Sequence, residues 1–185
     1  LEEMLGLAEK KQTFFMEAMW SRYLPAVREM KRIAQEEIYG KVQYLHITFG
    51  SQIPETVRRI YEADLGGGAL LDVGVYGVNL ADYWLGVKEK EIHAWAQKLP
   101  NTVDMYTGAQ ILYENGAAAD MVFATDRKLP NSAVIVTDKA ELVVPYFWRP
   151  TEILRYKPNG NFASERLEER LSFPLKGNGY PHEAL

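Results

Sequence analysis

The second half of the sequence carries seven short segments of strand character, and this run constrains the fold more than any other feature. The segments are rich in β-branched and aromatic residues, and turn-forming residues separate several of them. A hairpin turn is predicted at 113–117, because Asn-Gly tolerates positive φ at both central positions. Consecutive hairpins build an antiparallel sheet. The predicted strands are 91–98, 105–113, 117–125, 133–136, 141–144, 151–156 and 168–173.

The first half supplies helices that can cover such a sheet. Residues 1–11 and 24–37 carry apolar side chains at three- and four-residue steps, which predicts two helices. Pro25 suits the start of the second helix, because its fixed φ is already helical. A third helix is predicted over 69–85, and Gly86 is expected to end it.

The remaining parts of the first half predict two strands and a loop. The apolar run 13–20 predicts a short buried strand, and the alternating segment 42–49 predicts a half-buried one. Residues 50–68 are rich in glycine and proline, which predicts a loop with one helical turn. The sequence therefore predicts an α+β fold, an open, mainly antiparallel β-sheet with helices packed on one face.

Composition excludes several classes of function. The chain has 185 residues, a net charge of -4 and no basic tract, so nucleic acid is not expected as a partner. It has no cysteine and only three scattered histidines, so thiolate chemistry is excluded and no metal site is expected. No apolar run reaches the roughly 18 residues of a membrane span. We therefore expect no membrane contact and a cytoplasmic location.

The segment 66–76 is the most informative for chemistry, because three glycines directly precede a predicted helix. Glycines let the backbone approach a ligand or a neighbouring domain closely. Asp72 and Tyr76 are four residues apart, so a helix carries both on one face. There the carboxylate can accept a hydrogen bond from a hydroxyl group, and the phenol can exchange a proton with it. The spacing also allows a simpler interpretation, in which Asp72 caps the helix and Tyr76 only packs.

A second cluster lies at the end of the predicted strand 13–20. Trp20 can form the wall of a pocket for an aromatic or sugar ring, and Arg22 can bind an anionic group. The alternative is a core tryptophan and a surface arginine.

These segments resemble a known family. The glycine triplet and the residues through Tyr76 resemble the helix signature of the Gfo/Idh/MocA oxidoreductases. The segments 15–25, 148–152 and 179–184 are similar to its trans-1,2-dihydrobenzene-1,2-diol dehydrogenase branch, also called D-xylose 1-dehydrogenase (NADP). The resemblance covers nearly the whole chain and keeps the order of the motifs.

The resemblance implies an oxidoreductase that transfers a hydride between NADP, or NAD, and a small-molecule diol or sugar. It implies that residues 1–12 are the last helix of a truncated nucleotide-binding domain. Residues 13–185 would be the substrate-binding and dimerisation domain, and two copies would pair through the open face of the sheet. Both ends of the sequence lie in helical patterns, so we expect a fragment that is inactive alone.

The resemblance also assigns roles to individual residues. Tyr76 matches the family's acid/base, and Asp72 matches the substrate-binding aspartate one turn before it. Trp20 and Arg22 match residues that line the active site in the dihydrodiol branch.

Two family features are missing from the sequence. The lysine that pairs with the tyrosine is expected about ten residues before Leu1. A further arginine of the branch falls around 97–98, where this sequence has Gln97 and Lys98.

Two alternative functions stay open: a non-catalytic sheet module for dimerisation or partner binding, and a different sugar oxidoreductase of the same family.

Overall fold

Helices and one sheet of eight strands make up the chain in the computed structural model, which describes residues 2–157 and 166–184. The helices are α1 (Glu2–Lys11), α2 (Pro25–Gln35), α3 (Arg58–Tyr61) and α4 (Val75–Leu85). The strands are β1 (Val42–Gly50), β2 (Glu89–Lys98), β3 (Asp104–Tyr113), β4 (Ala118–Ala124), β5 (Ser132–Thr137), β6 (Glu141–Pro145), β7 (Glu152–Lys157) and β8 (Arg166–Ser172). Short turns of 3-10 helix lie at Trp20–Tyr23, Ala63–Leu65 and Tyr180–His182, and a π-helical turn lies at Leu70–Gly74.

The sheet has the strand order β2-β3-β4-β1-β5-β6-β7-β8. Strand β1 pairs with β4 in parallel, and every other neighbouring pair is antiparallel. The chain leaves β1 at Gly50 and reaches the next strand only at Glu89, and this long crossover carries α3, the π-turn and α4. The predicted α+β class and mainly antiparallel sheet are therefore confirmed.

The main core lies between α2, α4 and one face of the sheet. On that face the registered residues Leu45, Ala119 and Ile111 share one row, and all three are buried. The Trp84 indole is buried at the helix interface and donates a hydrogen bond to the Val27 carbonyl at 3.1 Å. Burial of each large apolar side chain contributes about 1.5–3 kcal/mol. The largest of these side chains are Trp84, Phe123, Phe147, Leu24, Met30, Ile33, Leu45 and Ile47.

All seven strands predicted in the second half are confirmed, with ends that differ by one or two residues. The turn between β3 and β4 differs in detail from the prediction. Only Gly116 has a positive φ, of 86°, and its N–H donates to the Tyr113 carbonyl at 3.0 Å. The Tyr113 N–H in turn donates to the Ala117 carbonyl, so the loop is longer than two residues. A turn predicted at 158–160 lies outside the described residues.

The prediction of a buried strand at 13–20 is wrong. Residues 13–19 have no regular secondary structure and pair with no described strand, and the Phe14 side chain is 85% exposed. Only the last residue of the run, Trp20, is buried, and it begins a 3-10 turn. An apolar run predicts burial, but it does not identify the surface that buries it.

The predicted helices are confirmed, with one irregularity. The helix expected over 69–85 begins with the π-turn and continues as α4. Gly86 ends it in the left-handed conformation, and its N–H donates to the Asp82 carbonyl at 2.9 Å. No helix within the described ranges is long and apolar enough to cross a bilayer.

Candidate active site

The glycine triplet lets the backbone pass close to the start of strand β3. Gly68 has a φ of +124°, and a side chain there would meet the Asp104 carboxylate. That carboxylate accepts hydrogen bonds from the Leu70 N–H at 2.8 Å and the Thr107 hydroxyl at 2.5 Å. Asp104 therefore anchors the start of the π-turn to the sheet, and the glycine makes room for it.

Two further glycines let the helix lie against the sheet. A Cβ atom at Gly77 would meet the Phe123 ring at 2.5 Å, and one at Gly74 would meet it at 2.9 Å. The ring of Phe123 is fully buried, so it cannot withdraw into solvent. Asp72 lies in the π-turn and Tyr76 in the first turn of α4, and this close packing fixes both beside the end of β1.

Three of the four predicted site residues line one open cavity of about 440 Å³. They are Trp20, Asp72 and Tyr76, which come from two segments more than 50 residues apart. A cavity of this size is within the range that holds a small-molecule ligand. Side chains that were not predicted as site residues also line it: Phe49, Arg59, Trp148, Arg149, Asn178 and Tyr180.

The Tyr76 phenol is the polar centre of this cavity. The Trp20 indole N–H donates a hydrogen bond to the Tyr76 oxygen at 3.3 Å. Within the described residues the phenol proton itself is donated to no acceptor. The oxygen is thus held by a donor, and its proton stays available to a ligand.

The Asp72 carboxylate is paired with a cation. The Arg59 guanidinium donates to it, and the Asp72 side chain is 18% exposed against 63% for Arg59. Arg59 belongs to α3, in the loop between β1 and the glycine triplet. Sequence spacing gave no signal for this contact, because nothing in the pattern relates α3 to the π-turn.

Aromatic rings form the opposite wall. The rings of Phe49 and Trp148 stack, with centroids 4.0 Å apart and planes 14° apart. The Phe49 centroid lies 6.1 Å from that of Tyr76. Trp148 was not predicted as a site residue, but its side chain lines the cavity. A flat ligand ring can therefore lie against an aromatic surface beside the phenol.

The fourth predicted residue, Arg22, binds side chains further along α4. Its Nε donates to the Asn79 side chain at 2.6 Å, and its terminal nitrogen lies 3.5 Å from the Asp82 carboxylate. The guanidinium also lies over the Tyr83 ring, 5.0 Å from its centroid. Asn79 and Tyr83 do continue the polar face predicted from Asp72 and Tyr76, but that face binds Arg22. Arg22 is not among the residues that line the cavity.

A comparison with protein families decides the identity of the fold. The family model described as the GFO/IDH/MocA C-terminal domain matches residues 27–143. The chain belongs to the Gfo/Idh/MocA family. The resemblance drawn from the glycine triplet and Tyr76 is confirmed.

Curated relatives of this Gfo/Idh/MocA chain are dihydrodiol dehydrogenases. It is 30% identical over 186 residues to the trans-1,2-dihydrobenzene-1,2-diol dehydrogenase of Xenopus laevis, which covers 100% of this chain and 56% of the relative. It is 30% identical over 156 residues to the enzyme of the same name from Danio rerio, covering 83% of this chain and 46% of the relative. The chain thus spans about half the length of the curated relatives it matches.

Solved structures show the same fold. The aldose-aldose oxidoreductase from Caulobacter crescentus, complexed with glycerol, superposes with a TM-score of 0.79 at 21% identity over 98% of this chain and 55% of that one. KijD10, a 3-ketoreductase from Actinomadura kijaniata, superposes with a TM-score of 0.79 at 20% identity over 99% of this chain and 56% of that one.

The family resemblance led us to expect an arginine near Gln97, and Gln97 does accept a hydrogen bond from an arginine, although neither residue lines the cavity. Arg127, just after β4, donates to the Gln97 side chain at 3.2 Å and lies over the Tyr106 ring. Its guanidinium also binds Asp126 and lowers the pKa of that carboxyl below its usual value. A cation therefore lies beside Gln97, although it comes from the segment after β4.

Within the described residues no group of three acidic or histidine side chains could hold a metal.

Proposed function

We propose that this chain is the C-terminal, substrate-binding part of an oxidoreductase that uses NADP or NAD. The proposed reaction is the oxidation of a CH–OH group in a trans-dihydrodiol or an aldose such as D-xylose. The observation that carries the proposal is the Tyr76 phenol in an open cavity that Trp20 and Asp72 also line. The dehydrogenases among the curated relatives support the class of reaction. The cytoplasmic location expected from the sequence stays part of this proposal.

The chain's own residues would position the substrate and move its proton. In its deprotonated form, Tyr76 would take the proton of the reacting hydroxyl and become a neutral phenol as the hydride leaves, and the Trp20 N–H would stabilise the phenolate charge before that transfer. Asp72 would accept a hydrogen bond from a second hydroxyl of the substrate, while Arg59 holds the carboxylate in place. A bound nicotinamide would supply the hydride acceptor.

The cavity fits the nicotinamide end of such a cofactor but not its phosphates. The stacked rings of Phe49 and Trp148 offer a flat wall beside Tyr76. The sequence contains no Gly-x-Gly-x-x-Gly segment that could bind the pyrophosphate at a helix N-terminus. The phosphates would therefore be bound by a separate nucleotide-binding domain.

The exposed apolar surface of α1 is consistent with contact to such a domain. We propose that residues 1–12 are its last helix and that residues 13–185 form the substrate-binding and dimerisation domain. No α1 residue is buried, and the apolar side chains Met4, Leu7 and Phe14 line an exposed depression. Exposed apolar patches of this kind are typical of surfaces that contact another unit.

We further propose that two copies pair through the face of the sheet opposite the helices. Register brings Leu112, Ala118, Tyr44 and Val136 into one row on that face. Within 2–157 and 166–184 no helix packs on it, and Leu112 and Tyr44 are exposed. The same face would serve a non-catalytic sheet module, but a module needs no cavity that joins a phenol, a carboxylate and an indole donor.

The test is cofactor reduction by the complete protein that contains this chain. With NADP or NAD present, we expect reduced cofactor to form with a trans-dihydrodiol or D-xylose, and none with the corresponding deoxy compound. The 185-residue chain alone should be inactive with the same substrates. Absence of cofactor reduction across a panel of cyclic diols and aldoses would leave the sheet module as the better account.

A further inference from the structure

One cation at the cavity has no partner among the residues that the structure describes. The Arg149 side chain lines the cavity of Trp20 and Tyr76, and it makes no hydrogen bond, ion pair or ring contact with a described residue. The other arginine there, Arg59, is already paired with Asp72. The lining side chains therefore carry one positive charge that no lining carboxylate neutralises.

The backbone that carries Arg149 is firmly placed. Its N–H donates to the Tyr146 carbonyl at 2.7 Å, and the buried Ser21 hydroxyl donates to the Trp148 carbonyl at 2.6 Å. The flanking Phe147 is fully buried and Pro150 is buried as well. Because this hydrogen bond joins the corner at 146–150 to the segment of Trp20, the backbone of Arg149 has a fixed position at the rim of the cavity.

Among the described residues, no carboxylate that lines the neighbouring surface is paired with Arg149. A second cavity, of about 550 Å³, shares Trp148 and Arg149 with the first. The acidic residue among its lining side chains is Glu152, which is bound by Arg170. The charge on Arg149 is thus left for a ligand.

We infer that Arg149 receives an anionic group of the substrate, so that ring polyols with a carboxylate or phosphate, such as acidic sugars, are used in preference to neutral ones. The inference rests on the proposed function, since the ring must lie beside Tyr76. With the ring beside Tyr76, a charged substituent on its outer side would reach Arg149, which lines the same cavity. A guanidinium can bind a carboxylate or phosphate with two parallel hydrogen bonds, which gives charge and geometry together.

A matched substrate pair tests the inference in the complete protein. D-glucuronate and D-glucose differ only at C6, so the ratio of their kcat/KM values isolates the acidic group. We expect a ratio of about ten in favour of glucuronate, the size of one good charged hydrogen bond. Arg149→Gln should bring the ratio near one, and Arg149→Lys should keep part of it. A ratio near one in the unchanged protein, or an unchanged ratio in Arg149→Gln, would overturn the inference.

The control variant is Arg28→Gln, because Arg28 is exposed on α2 and, among the described residues, its guanidinium contacts only the Tyr23 ring. It should leave the ratio unchanged. Sensitivity of the ratio to this substitution as well would point to a general charge effect and contradict a specific role of Arg149.

Binding to the 185-residue chain separates this inference from the proposed reaction. Titrations followed by NMR would use D-glucuronate, D-glucose, D-glucose 6-phosphate and inorganic phosphate. We expect the two acidic sugars to bind about ten-fold more tightly than glucose, and the difference to disappear in Arg149→Gln. Inorganic phosphate that binds as tightly as the acidic sugars would contradict a substrate subsite. Binding as predicted without turnover would refute only the proposed reaction.

Discussion

The contact between Trp20 and Tyr76 is the interaction on which the proposed chemistry depends at the residue scale. The Trp20→Phe substitution keeps a ring in the pocket but removes the N–H that donates to the phenol oxygen. We expect kcat to fall about ten-fold, because a hydrogen bond to a charged oxygen contributes about 1.5–3 kcal/mol. Substrate KM should change little. Steady-state kinetics of the complete protein would measure both, and a raised KM with unchanged kcat would mean that Trp20 only shapes the pocket.

The pair of Asp126 and Arg127 predicts a pH dependence of stability. Hydrogen bonding and charge from Arg127 lower the pKa of Asp126 in the folded chain. A depressed carboxyl pKa stabilises the fold above the unfolded pKa, near 3.9, and this contribution is lost as the pH falls through the folded pKa. Arg127→Met should therefore reduce the free energy of unfolding by less than about 1 kcal/mol at pH 7, since both side chains are partly exposed.

Urea unfolding at several pH values would check this. The part of the loss that is due to the ion pair should shrink steadily below pH 4, while the loss from the Tyr106 ring contact should stay constant. A loss that is the same at every pH would show that the ion pair contributes nothing.

At this scale Trp20, Asp72 and Tyr76 could be predicted from the sequence, whereas the contacts that other loops make at the cavity could not. The spacing of Asp72 and Tyr76 predicted their common location. No local pattern could relate Arg59 to Asp72 or Trp148 to Phe49, because those contacts depend on how loops fold over the sheet. Arg22 was predicted to line the site, but its guanidinium is bound by Asn79, one turn beyond Tyr76 on α4, and does not line the cavity.

At the scale of the element, the glycines of the π-turn and α4 fix the distance between helix and sheet. Gly77→Ala would place a methyl group against the buried Phe123 ring, where the available distance is 2.5 Å. Overpacking of this kind costs about 1–3 kcal/mol, which exceeds the gain of about 1 kcal/mol in helix propensity. We expect Gly77→Ala to have a lower free energy of unfolding than the unchanged protein, as measured by urea denaturation.

The matched control is Gly6→Ala in α1, where a Cβ atom would meet nothing within 4 Å. That variant should be neutral or more stable, by up to about 1 kcal/mol. Phe123→Leu should recover part of the loss in Gly77→Ala. A Gly77→Ala chain as stable as Gly6→Ala would contradict the close packing described for α4.

Helices and strands were predictable where the hydrophobic pattern repeated and the residues that end the element lay next to it in the sequence. The seven strands of the second half follow from their turns, and α2 follows from Pro25 and its apolar spacing. The run 13–20 has the composition of a buried strand but no described strand beside it. The π-turn had no signal either, because it adds a residue to a pattern that otherwise fits an α-helix.

At the scale of the whole molecule, the proposed dimer makes a separate prediction. Val134 and His46 are registered neighbours on the face opposite the helices, in the middle of the sheet. Val134→Lys should convert a dimer into a monomer, because it would bury a lysine ammonium in the interface, where the Asp120 carboxylate of the same row is already bound to His46. Sedimentation equilibrium would measure the mass of each variant. Val78→Lys, on the exposed side of α4, is the control and should stay dimeric. A monomeric unchanged protein at micromolar concentration would refute the proposed pairing.

The central claim is that one phenol moves the substrate's proton, and a single pair of variants tests it most directly. Tyr76→Phe removes only the hydroxyl that faces the cavity, and Tyr83→Phe makes the same change two turns further along α4. In the complete protein, loss of a general acid/base should lower kcat by about 100-fold or more for Tyr76→Phe. Tyr83→Phe should keep kcat within about two-fold. Equal rates for Tyr76→Phe and the unchanged protein would contradict the account.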